Sequence, residues 1–180
     1  MIRPFGLAGV LCLAVTAPLL AQHATRGAAD GLLDRLVGRW RMTGSVRGRP
    51  AAYTLEAARV LQGRFVELHM VDDNRPPGYE ARVFVGADTA GGRVIAHWLD
   101  NFGAAYSVPH ATGEVRGDTL LLAFPYPSGA FRDTFTYDSS ADAWHFRLET
   151  ADSTGAWRRF ADYDVRRRRD RAPGAEREED

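Results

Sequence analysis

From Gly38 to about Val165 the chain alternates apolar and polar residues, with turn-forming clusters about every 8–12 residues, and this pattern constrains its fold more than any other feature. The turns fall at RGRP (47–50), DDNRPPG (72–78), DTAGG (88–92), EVRGD (114–118), PYPSG (125–129), DSSAD (138–142) and DSTG (152–155). They delimit candidate strands at 39–46, 51–60, 63–72, 79–87, 92–100, 104–114, 118–124, 130–137, 142–150 and 156–166. About ten strands joined by short connections predict an antiparallel up-and-down meander. Left open, such a sheet would expose two long unpaired edges, and closure into a barrel removes them. The expected fold class is therefore all-β: a closed antiparallel barrel of about ten strands.

One short helix precedes it. In DGLLDRLVG, Leu32, Leu33, Leu36 and Val37 recur at helical spacing, with Asp30 placed to cap the start and Gly38 to stop it. Residues 23–30 are small and polar and read as a linker.

Residues 1–22, MIRPFGLAGVLCLAVTAPLLAQ, carry Arg3, an uncharged apolar run and small residues near Ala21, the pattern of a secretory signal peptide. The run is about 17 residues where a span needs roughly 20, so the expectation is an exported protein, periplasmic or secreted, with no stable membrane insertion after cleavage. Cys12, the only cysteine, lies in this run, so the mature chain has no disulfide, zinc–thiolate site or Cys nucleophile. All 23 basic residues are arginines, which excludes Schiff-base lysine chemistry. They balance 23 acidic residues, so net charge points to no nucleic-acid partner. Residues 167–180 are charged, nearly without apolar groups, and read as a disordered tail.

Alternation sorts the two faces of each strand. Trp40, Met42, Gly44 and Val46 share one face, as do Trp144, Phe146 and Leu148, and these apolar sets are expected to line the interior. His145 falls on the opposite face, with Arg147 and Glu149. Polar residues interrupt two other strands: Glu67 and His69 share a face with Phe65 and Val71, and Asp133 shares one with Phe131, Phe135 and Tyr137, opposite Arg132. A few polar groups on an apolar wall fix a ligand's head group. Glu67, His69, Arg132 and Asp133 are thus candidate polar contacts, with Trp98, Tyr106, Phe135, Trp144 and Phe146 as candidate wall. The competing expectation for the four polar residues is ordinary exposure on half-buried strands.

The segment LVGRWRMTGSV, a short helix leading into Gly38-x-Trp40 at the first strand, resembles the calycin superfamily, the lipocalin-like barrels. The segments LQGRFVEL, HWLDNFG, GEVRGDTL and WRRFADY extend the likeness over about residues 31–166, and it is strongest to the small bacterial lipocalin-like domains of unknown function. The resemblance implies that Trp40 closes one end of the barrel beneath an Arg from the last strand, for which Arg158, Arg159 and Arg166 are candidates. An Arg over an indole face contributes roughly 0.5–2 kcal/mol. A small barrel either holds one apolar ligand or is filled by its own side chains.

No metal or cofactor is called for: there is no HxH or HxxxH pair, and GxSxG, GxGxxG, Walker and EF-hand patterns are missing. The leading expectation is a small hydrophobic or amphipathic ligand in the barrel. The alternatives are a filled, non-catalytic envelope interaction module, a haem site on His145, or acid–base catalysis by His69 with Glu67 or Asp133.

Overall fold

A computed structural model describes residues 17–88 and 93–168, with side chains from Gly27 onward. Most of the expected signal segment, Cys12 and nearly all of the charged tail lie outside the described residues. The described chain forms one helix, α1 (Ala17–Leu36), and ten strands. These are β1 (Gly38–Val46), β2 (Arg49–Val60), β3 (Phe65–Asp72), β4 (Glu80–Ala87), β5 (Val94–Asp100), β6 (Ala111–Arg116), β7 (Thr119–Phe124), β8 (Phe131–Asp138), β9 (Ala143–Ala151) and β10 (Trp157–Arg167). Each pairs antiparallel with its neighbours in sequence, and β1 also pairs with β10, closing the barrel.

Two boundaries differ from expectation. The helix extends back to Ala17, through the stretch whose composition reads as linker, and Asp30 lies within it rather than at its start. The strand expected over 104–114 begins only at Ala111; Ala104–Tyr106 form one 3-10 turn, because Gly103 at φ 100° redirects the chain out of the sheet.

The core fills the barrel from the helix end. On α1, Ala29, Leu32, Leu33 and Leu36 form the i, i+3, i+4, i+7 stripe and are buried with Trp40, Leu55, Val66, Val83 and Val85 in one cluster. The carbonyls at the end of the helix lack intrahelical partners, and two indoles supply them. Trp40 Nε1 donates to the Leu36 carbonyl at 2.6 Å, and Trp144 Nε1 donates to the Arg35 carbonyl at 3.4 Å. Arg59 on β2 bonds the Asp30 carbonyl at 3.0 Å and the Asp34 carboxylate at 2.7 Å, fixing the helix from outside.

The Arg that covers Trp40 is Arg167, not Arg158, Arg159 or Arg166. Antiparallel pairing places Arg167 opposite Trp40, whereas Arg158 and Arg159 lie at the other end of β10 and Arg166 faces the other way, opposite Arg41. Arg158 bonds Asp152 at 2.9 Å, and Arg159 lies 3.6 Å from Asp162. Gly38 completes the seal: its φ of 140° belongs to the glycine region, and a Cβ there would stand 2.4 Å from Arg167 Nη1.

Candidate functional site

The barrel's two ends differ in chemistry. The helix end is closed by aliphatic side chains, Trp40 and Arg167. The opposite rim carries half-buried aromatic rings: Tyr53, Tyr79, Trp98, Tyr126, Phe131 and Phe160. They touch in sequence around the rim. Tyr53 lies 5.9 Å from Tyr79 and 5.6 Å from the buried Tyr163, Trp98 6.2 Å from Phe124, and Phe124 stacks on Tyr126 at 5.4 Å. Tyr126 then meets Phe131 at 6.0 Å, and Phe131 meets Phe160 at 5.1 Å. Period-two alternation puts Tyr53, Trp98 and Phe131 inward, because each sits an even number of residues from a buried position on its strand; Tyr79 and Tyr126 lie just beyond the strand ends, and Phe160 falls at the β10 bulge.

Beneath this collar lies Asp133. It faces inward with Phe135 and Tyr137 on β8, opposite Leu122 of β7 and Leu148 of β9. It is 3% exposed, the only buried charged or polar residue among those described. Its Oδ1 is buried without a hydrogen-bond partner. Burial alone pushes its carboxyl up to about 8, so it holds a proton at neutral pH. An orphaned buried polar atom of this kind costs about 1–3 kcal/mol, which a bound partner would remove.

A second inward carboxyl stands nearer the rim. Asp100 accepts the Phe102 amide at 3.0 Å and faces the Tyr79 hydroxyl at 3.5 Å, which itself accepts Trp98 Nε1–H at 3.1 Å. Burial raises the Asp100 carboxyl, with these hydrogen bonds working against it. The Tyr126 phenol is pushed up to about 12 by burial and then by Asp133 and Asp100, so it lies within the field of both carboxyls. A groove of about 660 Å³ opens beside Tyr53, bordered by Val46, Arg49 and Asp72.

The other expected residues distribute as follows. Phe135, Trp144 and Phe146 line the interior but are fully packed, Phe135 stacking on Phe146 at 4.0 Å. Trp98 belongs to the collar. Glu67, His69 and Arg132 lie on the outer face, because Val66, Leu68, Met70 and Asp133 take the inward positions of their strands. Glu67 pairs with Arg82, His69 Nε2 with Glu80 at 2.7 Å, and Arg132 with Glu149 at 2.6 Å while stacking 4.4 Å over Trp157. The proposed acid–base pairs of His69 with Glu67 or Asp133 are therefore not formed. Tyr106, on the 3-10 turn, is 60% exposed and touches Phe102 at 6.4 Å, outside the barrel wall. His145 faces outward between Asp162 at 3.2 Å and Asp164 at 3.5 Å. No three His, Cys, Asp or Glu side chains converge as a metal site among the described residues.

Sequence reasoning missed Tyr53, Tyr79, Asp100 and Tyr126. Alternation marks Tyr53 and Asp100 as inward, but Tyr79 and Tyr126 sit in Pro- and Gly-rich turns, where period-two counting stops.

A closed ten-strand antiparallel barrel with an N-terminal helix and Trp40 at one end is a lipocalin-like, calycin-type fold. Among solved structures the chain is similar to the S-type phycobiliprotein lyase CPES from Guillardia theta, with TM-score 0.52 and 12% identity over 83% of this chain and 98% of that chain. No protein-family model and no curated protein matches the sequence.

Proposed function

We propose that this protein is an exported lipocalin-like barrel that binds one small hydrophobic or amphipathic molecule at its aromatic rim. The observation that carries the reading is the contrast between the two ends. One is sealed by α1, Trp40 and Arg167; the other presents half-buried rings above an unpartnered carboxyl. Rings left partly wet at a barrel mouth gain by covering themselves with a ligand, at about 25 cal/mol per Å² of apolar area buried. Export rests on Arg3 and the apolar run after it; among the described residues no helix is long and apolar enough to cross a membrane.

The structural neighbour is named a lyase of phycobiliproteins, which puts the pigments of such proteins into the ligand screen beside lipids and apolar metabolites. The test is a thermal-shift and tryptophan-fluorescence screen of those classes. Saturable binding that Trp98→Ala weakens at least fivefold supports the reading. Failure of every class to bind or to raise the melting temperature replaces it with a filled interaction module.

A further inference from the structure

The chemistry of the rim is one-sided. Its inward polar groups are Asp133, Asp100, the Tyr53, Tyr79, Tyr126 and Tyr163 hydroxyls and the Trp98 indole. Asp72 faces in too, but its carboxylate is spent on its own loop, accepting the amides of Asn74, Gly78 and Tyr79 at 3.0, 3.0 and 2.8 Å. Among the described residues the arginines on the inward register at this end, Arg49 opposite Val46 and Arg158 opposite Thr150, are exposed, and Arg158 is taken by Asp152 at 2.9 Å. Arg47, which stacks 5.1 Å from the Phe160 ring, is itself exposed. Around Asp133 the rim thus offers carboxyls and π-faces, and no cation acts on its carboxyl.

We propose that the rim selects ligands carrying a protonated nitrogen on an apolar body, with the Asp133 carboxylate as counter-group and the Tyr126, Phe124 and Trp98 rings around the cation. The inference rests on the reading of this rim as a ligand site. An ammonium donates to Oδ1 and removes its unsatisfied state. It turns a lone buried acid into a paired one, and it gains from the surrounding ring faces. An anionic head group at the same place would meet two carboxyls and no positive charge, and a neutral one would leave the carboxyl without a charged partner.

Binding moves one proton. Asp133 gives its carboxyl proton to solvent as the ammonium arrives, so affinity rises with pH until the free acid titrates. No charged group shifts Asp133 itself; Leu122 and Leu148 flank it across the sheet, and Tyr126 lies in the field of both Asp133 and Asp100.

The experiment uses three probes of one chain length, decylamine, decanol and decanoate, titrated by calorimetry against the protein and D133N. At pH 7 decylamine should bind the wild type at least tenfold tighter than decanol or decanoate. It should release about one proton, read from buffers of different ionisation enthalpy. In D133N the amine preference should vanish and no proton should be released. Equal binding of all three probes, or an amine preference that survives D133N, overturns the inference and leaves the ligand site standing. Binding of the amine to wild type without proton release overturns it independently of any variant. If no probe binds and the broader screen is also empty, the ligand reading falls and the inference with it.

Discussion

The Arg167 guanidinium carbon lies 4.1 Å from the centre of the Trp40 ring, joining the last strand of the barrel to the first across the sealed end. The same side chain bonds Asp142 at 2.5 and 3.0 Å and the Val37 carbonyl at 3.2 Å. It therefore ties β10, the β8–β9 turn and the exit of the helix at one point. Arg167→Ala should destabilise the fold by about 1–3 kcal/mol, summing a cation–π contact and a partly exposed ion pair. Arg167→Lys should recover less than half of that, because an ammonium lacks the planar fork. Urea titration of the three proteins measures it; equal midpoints would remove Arg167 from the seal.

Gly38→Ala addresses the same contact from the other side. A methyl group would meet Arg167 Nη1, and the backbone would be held at a φ that L residues disfavour. The expected loss is about 1–3 kcal/mol. Adding Arg167→Ala to it should cost less than the sum of the two single changes, since the clash is then gone. A double-mutant cycle in urea reads the coupling, and strict additivity would show that the two residues act separately.

Asp133 makes stability depend on pH in a definite direction. Its carboxyl titrates near 8 in the folded chain and near about 3.9 when unfolded. Between those values the native state keeps a proton that the unfolded state has lost. This contribution therefore falls as pH rises through that window, by at most about 1.4 kcal/mol per pH unit, and levels off above the folded value. D133N cannot titrate. It should match the wild type near pH 4 and exceed it by a few kcal/mol at pH 8, seen as a difference in melting temperature that widens with pH. A constant difference would place Asp133 in a wetter setting.

The packed and rim aromatics should separate under mutation. Phe135→Ala removes a ring stacked on Phe146 in the closed part of the core and should cost about 3–5 kcal/mol. Tyr126→Leu at the half-buried rim should cost less than about 1.5 kcal/mol yet weaken any ligand at least fivefold. Denaturation midpoints and ligand titrations on the same variants decide between a rim site and one deeper in the barrel.

Arg132→Ala and Glu67→Gln provide the outer-face control. Both ion pairs include a partly exposed member, so each change should cost no more than about 1 kcal/mol. Ligand affinity should stay within twofold. A larger affinity loss from either would contradict their outward placement.

The strand count, the barrel class and the inward apolar faces were legible in the sequence, because period-two alternation and turn chemistry are local properties of the chain. Asp133 was legible in part: its spacing from Phe135 and Tyr137 marks its face, but not whether anything answers its carboxyl. For Glu67 and His69, alternation put them on one face together without saying which face is inner; Val66, Leu68 and Met70 claimed the interior because burying them removes more apolar area from water. Only the closed barrel decided which arginine covers Trp40, since the choice depends on the β1–β10 register, a pairing of residues more than a hundred positions apart. Only closure, too, gathered Tyr53, Tyr79, Trp98 and Tyr126 from four separate stretches into one rim. Local sequence sets how each strand divides its faces; bringing distant strands to one opening requires the loop-closing hydrogen bonds of the whole sheet.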